Sequence, residues 1–147
     1  MRGYPKPKRY IPNNPEKVVG DLNNIIMRSS WETRFARWLD TNPAVIRWGS
    51  EIKPIPYFST FENKVRRYFP DFWVYLVDKE EQHKRLLIEI KPLSQVLPPK
   101  PKTKKTFLNE MVTWQKNQDK WKSAREWCQK NAFEFVIMTE KELGIKI

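Results

Sequence analysis

Apolar residues along this chain keep two different periods, and the switches between them mark out its elements. Trp31, Phe35, Trp38 and Leu39 fall at i, i+4, i+7 and i+8, which predicts an amphipathic helix over roughly residues 21–40, stopped by Asn42-Pro43. Val45 to Trp48 and Ile52 to Phe58 read as two short β segments joined by a turn at Gly49-Ser50. Pro54 and Pro56 suit the second to a sheet edge, because proline cannot donate to a ladder. From Val65 to Val77 the run VRRYFPDFWVYLV is dense in aromatic and β-branched residues; after the polar DKEEQHK a second apolar run, RLLIEI, follows, as in an antiparallel hairpin. Pro92 closes that strand, and the Pro- and Lys-rich residues 92–106 are predicted to be irregular. A long helix from about Phe107 to Lys130, with Leu108, Met111, Trp114, Trp121 and Cys128 broadly on one side, and a strand from Phe133 to Met138 complete the chain. With the edge segment 52–58 set apart, the order is helix, three strands, helix, strand, which predicts an α/β fold with a mixed central sheet flanked by helices. No internal repeat is present.

Length and composition narrow this picture. The 147 residues suit one domain, predicted over 16–147, after an extended basic arm at 1–15 whose prolines resist both helix and ladder. Seven Trp, eight Phe and five Tyr supply the apolar area that a packed core requires. The formal charge of +11 favours a polyanionic partner, double-stranded DNA first. No segment has the apolar length of a membrane span and the N-terminus lacks a signal-like stretch, so a soluble, non-membrane protein is expected. Cys128 stands alone, which leaves no intramolecular disulfide and no Cys/His zinc site; it is expected to be a small buried filler on a helix.

The candidate chemistry lies in the two apolar runs. Within RLLIEIKP, Glu89 and Lys91 are two apart and share a strand face, while Ile88 and Ile90 point the other way. Asp71 follows Pro70, and a hairpin closing through 78–84 sets it opposite the neighbourhood of Glu89. Two carboxylates at a strand edge suit a hard cation such as Mg²⁺, which prefers oxygen ligands and keeps several waters. Alternating charge in a half-exposed strand is the plainer explanation of E-x-K alone. The combination with Pro-Asp, a preceding helix carrying Glu32, and a following helix and strand outweighs it.

RRYFPDFWV followed by LLIEIKP resembles the signature of the PD-(D/E)xK nucleases, and the order α-β-β-β-α-β is similar to their restriction-endonuclease-like core. The resemblance implies Asp71 and Glu89 as metal ligands, the Ile90 carbonyl as a further ligand, Lys91 as the catalytic lysine, and Glu32 as an assisting acid on the first helix. Ser29 and Glu32 also fit an S-x-x-E capping box, which would make Glu32 a helix-start residue only. Over most of the chain, GDLNNIIMRSSWETRFARWLD, NPAVIRWGSEIKPIPYFS, RRYFPDF, IEIKP and FEFVIMTE resemble the head-completion proteins of T-even-like tailed bacteriophages. That resemblance implies a Mg²⁺-dependent endonuclease, with Mn²⁺ as the substitute ion. It would act with little sequence specificity on packaged DNA ends, beside head or portal proteins, in the host cytoplasm or the virion.

Other residues add to this expectation. Arg66 and Arg67 lie just upstream of Asp71 and suit the phosphates flanking a cut, while Lys100, Lys102, Lys104 and Lys105 would add salt-sensitive affinity, as would Lys6, Lys8 and Arg9 in the arm. Gln115 and Gln118 on the late helix are expected to be solvated or locally bonded, and His83 to be a turn residue without a catalytic partner. Zinc-finger, RNA-recognition and glycine-rich phosphate motifs are absent, so base-specific reading and ATP use are not expected. Two alternatives share these features: a non-catalytic DNA-binding virion protein that caps the filled head, and a nuclease of the transposon-end or junction-cutting kind that takes its target from a partner. No pattern here sets an oligomeric state.

Overall fold

The computed structural model describes residues 6–145. Its centre is a four-stranded mixed sheet in the order β3 (Val45–Ser50), β6 (Phe72–Val77), β7 (His83–Ile90) and β8 (Glu134–Met138). β6 pairs antiparallel with both β3 and β7, and β8 adds to β7 in parallel. The parallel pairing requires a crossover, which the long helix α3 (Lys104–Lys130) provides.

Each face of this sheet carries its own core. On one, Phe35, Ala36 and Leu39 of α1 (Ser30–Thr41) pack with Trp48, Phe72, Val74 and Ile88. On the other, Trp121, Ala124 and Cys128 of α3 pack with Leu87 and with Ile55, Tyr57 and Tyr68. These last three belong to a two-stranded antiparallel ribbon of β4 (Ile55–Ser59) and β5 (Lys64–Tyr68). Burial raises the Cys128 thiol pKa to about 11, which fits the inert filler expected of it.

Several expected boundaries move. The first helix starts at Ser30 rather than near 21, because the Ser29 hydroxyl accepts the Glu32 N–H (3.1 Å) and so caps it there; Leu22–Asn24 is only a 3₁₀ turn. Gly49 and Ser50 are strand residues paired with Trp73 and Phe72, and the chain turns after them, at Glu51. The run 65–77 is two strands in two sheets: Pro70 has no N–H for a ladder, and the break at 69–71 hands the chain from the β4–β5 ribbon into the central sheet. The irregular segment holds a short helix, α2 (Leu93–Val96), and α3 begins at Lys104, so Lys104 and Lys105 occupy its first turn. Leu108 is half exposed because the start of α3 runs beyond the sheet.

The expected basic arm is extended but not free. Of it, residues 1–5 lie outside the described residues, whereas β1 (Lys8–Arg9) pairs antiparallel with β2 (Ile26–Met27). Tyr10 then buries its ring against Trp48 and donates its hydroxyl to Asp40 (2.7 Å). The Asn13 and Asn14 N–H groups donate to the same carboxylate, at 2.7 and 2.9 Å. The Lys17 ammonium donates to the carbonyls of Leu39, Asp40 and Asn42 at the end of α1. No helix among the described residues is long and apolar enough to cross a membrane.

Candidate active site

The register of β6 against β7 places Phe72 opposite Ile88, which brings Asp71, one residue before β6, level with the end of β7. The Ile90 N–H donates to Asp71 Oδ2 at 2.8 Å, so this carboxylate lies over the backbone between Glu89 and Lys91. Glu89 is buried and points to the α3 side, where the Tyr68 hydroxyl donates to its Oε1 at 2.6 Å. The Lys91 ammonium lies 4.0 Å from its other oxygen. Lys91 itself is held by its own N–H donating to Met138 O (3.0 Å) across the parallel pair. By strand geometry the Ile90 N–H and C=O point to the same side, and that carbonyl faces past the start of β6, where no strand residue follows.

Glu32 joins the group from the first turn of α1. One of its oxygens accepts the Arg28 N–H (3.0 Å), so it does close the helix start, by way of residue 28 rather than Ser29. It also lies close enough to Asp71 and Glu89 for its charge to raise both. Burial, then the charges of Glu89 and Glu32, hold the Asp71 carboxyl well above the ordinary carboxylate range. Burial raises Glu89 as well, against the opposing pull of the Tyr68 hydrogen bond, Lys91 and Lys120. Glu32 is raised by burial and by Glu51. Three acids that repel one another in a half-buried site form a place where a cation relieves an existing cost.

The donor set suits one kind of ion. Among the described residues no three His, Cys, Asp or Glu side chains converge tightly enough to hold a metal by themselves. Two carboxylates and a backbone carbonyl are oxygen donors of the kind a hard cation such as Mg²⁺ prefers, whereas a structural zinc site is typically built from Cys and His.

Comparison with known proteins places the chain in a family. Residues 42–140 match the model of the TnsA-like endonuclease N terminal domain. This chain belongs to the TnsA-like endonuclease family. It is also 44% identical over 147 aligned positions, 94% of this chain and 95% of the relative, to the head completion nuclease of Enterobacteria phage T4. The matched span of the TnsA-like domain takes in Asp71, Glu89 and Lys91 but not Glu32, and α1–β3–β6–β7–α3–β8 is the α-β-β-β-α-β order of the restriction-endonuclease-like fold.

Three features of this TnsA-like endonuclease escape sequence reasoning. Tyr68 reads as one aromatic among many, yet its hydroxyl orients Glu89, and burial together with Glu89 pushes its own pKa far up. Lys120 comes from α3, where its ammonium sits 5.8 Å from the centre of the Tyr68 ring; burial and Lys91 lower its pKa. Arg28 and Glu51 form a two-pronged pair (2.9 and 3.2 Å) beside Glu32. Glu51 takes a left-handed φ of 51° there, and its N–H donates to the Asp71 carbonyl (3.1 Å).

The expected DNA-contacting residues are spread out. Arg67, Lys100, Lys104 and Lys105 are exposed, while Arg66 pairs with Glu62 and Lys102 with Glu110 (2.9 Å). Gln115 bonds Asp119 (3.1 Å) within α3, and the exposed His83 ring meets the Tyr75 hydroxyl at the start of β7.

Proposed function

We propose that this protein is a Mg²⁺-dependent DNA endonuclease of the PD-(D/E)xK type, with Mn²⁺ as a substitute ion, which processes packaged DNA ends during phage head completion. The observation that carries this reading is the Asp71 carboxylate seated on the Ile90 N–H between Glu89 and Lys91. The phage role rests on the named T4 relative, matched along nearly the whole length of both chains.

Asp71, Glu89 and the Ile90 carbonyl are the residues that would hold the ion. A divalent cation supplies Lewis acidity to the phosphodiester and lowers the pKa of a bound water. Tyr68 fixes the Glu89 carboxylate in one rotamer, and Glu32 adds an outer negative charge to the pair. Lys91 stands where it can orient the attacking water or neutralise charge on the phosphate. A protein that merely caps the filled head would gain nothing from buried, mutually repelling acids, which disfavours that alternative. The exposed basic residues, Arg67 nearest in sequence to Asp71, would hold flanking phosphates without reading bases.

The test is cleavage of duplex DNA with Mg²⁺, with chelator, and by Glu89→Ala and Lys91→Ala. Cutting is expected only with the ion, and each variant should lose on the order of 10³-fold, as for removal of charge stabilisation at a transition state. Variants that cut as fast as the parent would dismiss the assignment.

Lys120 makes a separate expectation. A half-buried ammonium that forms no ion pair among the described residues, beside Lys91, is a seat for an anion, and the scissile phosphate is the anion that arrives there. Lys120→Met should lower single-turnover cleavage by roughly 10–100-fold, and Lys120→Arg should restore part of the loss. A Lys120→Met variant with the parent's rate would remove Lys120 from the site.

A further inference from the structure

We infer that a cavity beside the catalytic group binds an unpaired nucleotide, so that the preferred substrate is DNA with a single-stranded end or gap next to the cut. The proposal rests on the nuclease reading for where the cut falls, but not for the binding itself.

The cavity, of about 940 Å³, lies between the 93–102 segment and α3. Two of its walls continue directly from the catalytic group. Leu93, on the wall, follows Lys91 by two residues, and Asn117, on the opposite wall, precedes Lys120 by one turn of α3. Its position is anchored, because the Leu93 N–H donates to both oxygens of Glu140 (3.1 and 3.2 Å) and the Trp114 indole N–H donates to Val96 O (3.1 Å). These bonds fasten the 93–97 segment to α3 and to α4 (Glu140–Leu143).

Its chemistry suits a nucleotide. Trp114 holds its indole N–H inward and lends its ring to the wall, as a surface on which a base can stack. Asn117 is only 7% exposed and stands on the cavity wall. A side-chain amide on a cavity wall offers one donor and one acceptor side by side, which match the edge of a base. The two carboxylates on the wall are already satisfied, Glu110 by Lys102 and Glu140 by the Leu93 N–H. Lys100 remains at the rim, exposed and without an ion pair among the described residues.

Shape decides between paired and unpaired DNA. A protein reads a duplex by pushing a convex helix or ribbon into a groove about 12 Å wide. Here the protein is concave, and a cavity in the range of roughly 300–1,000 Å³ takes a ligand of nucleotide size rather than a double helix. A base can enter only if it has left the stack, which is easiest at an end or gap.

The test is binding in chelator, read by fluorescence anisotropy, with blunt duplexes and with duplexes bearing short 3′ or 5′ tails. The parent should bind one tailed form about tenfold more tightly than the blunt form, the gain expected from one stacked base. A 2-aminopurine in the tail should be quenched on binding. Asn117→Ala should keep the parent's affinity for blunt duplex and lose the preference for the tail. Ser94→Glu, on the exposed mouth, should lose the preference without touching the core. Equal affinity of the parent for tailed and blunt DNA, or an intact tail preference in both Asn117→Ala and Ser94→Glu, would overturn the inference. The nuclease reading fails separately: a parent that prefers tails yet never cuts with Mg²⁺ refutes that reading and leaves this one standing.

Discussion

Asp71→Asn is expected to abolish cleavage while making the metal-free protein harder to unfold at neutral pH. The loss of cutting should reach on the order of 10³-fold or more, because a neutral amide is a poor ligand for a hard cation and contributes no charge to hold it. The gain in stability has a different origin. Burial, Glu89 and Glu32 raise the folded-state pKa of Asp71 well above its ordinary value of 3.8. A raised carboxyl binds its proton more tightly in the folded than in the unfolded chain, so its favourable contribution is complete below the unfolded pKa and disappears as pH rises through the folded one. Above that point the ionised Asp71 opposes folding, whereas the amide of the variant stays neutral and can still accept the Ile90 N–H through its oxygen. Thermal melts in chelator should therefore show the variant above the parent at neutral pH and level with it in acid. Added Mg²⁺ should raise the parent's melting temperature and leave the variant's unchanged. A variant that melts below the parent at neutral pH, or a parent indifferent to Mg²⁺, would show that the acids do not form a cation site. Cleavage by the parent should fall as pH is lowered for the same reason, as protons compete with the ion for Asp71 and Glu89.

How far the site could be read from residues alone depends on how local each contact is. Glu89 and Lys91 are two apart in one strand, so period-2 alternation suffices to put them on one face, and Asp71 follows once a hairpin turn of the right length is recognised. Glu32 is harder, because its sequence environment fits a helix cap and the folded chain uses it as both cap and charged neighbour. Tyr68 and Lys120 carry no local signal at all. Tyr68 reaches Glu89 only because the Pro70 break turns the β4–β5 ribbon under the sheet, and Lys120 arrives on a helix more than twenty residues downstream, aimed by the packing of Trp121 and Ala124. The same reasoning explains why the run 65–77 misleads: its composition is uniformly strand-like, and composition cannot say that one strand ends in one sheet and the next begins in another. The N-terminal segment misleads differently. Most of its described residues do lie outside helix and ladder, but its attachment depends on a buried carboxylate twenty-six residues or more away.

That attachment leads to the largest expected change in stability. Asp40 is fully buried on α1, and its two oxygens accept the Tyr10 hydroxyl and the N–H groups of Asn13 and Asn14. Burial alone would raise its pKa, but these three bonds outweigh it and hold the carboxyl below its ordinary value. Removing the acceptor strands several donors away from water at once, so Asp40→Ala should cost about 3–5 kcal/mol. For a domain of this size that is a fall of roughly 10–15 °C in melting temperature. Asp40→Asn should cost less, since one oxygen still accepts and only one donor faces the amide N–H₂. The sign with pH is opposite to that of Asp71: a depressed carboxyl contributes stability above its unfolded pKa and loses it as pH falls through the folded one, so the gap between parent and Asp40→Ala should narrow in acid. The group of acids around Asp71 should be spared. Asp40 is eight residues from Glu32, about 12 Å along the helix axis, and makes no contact with Asp71 or Glu89 among the bonds that hold it. Cleavage per folded molecule at low temperature should thus match the parent's, and a large drop in that rate without unfolding would mean that the N-terminal clamp sets the position of α1, and with it Glu32, during the reaction.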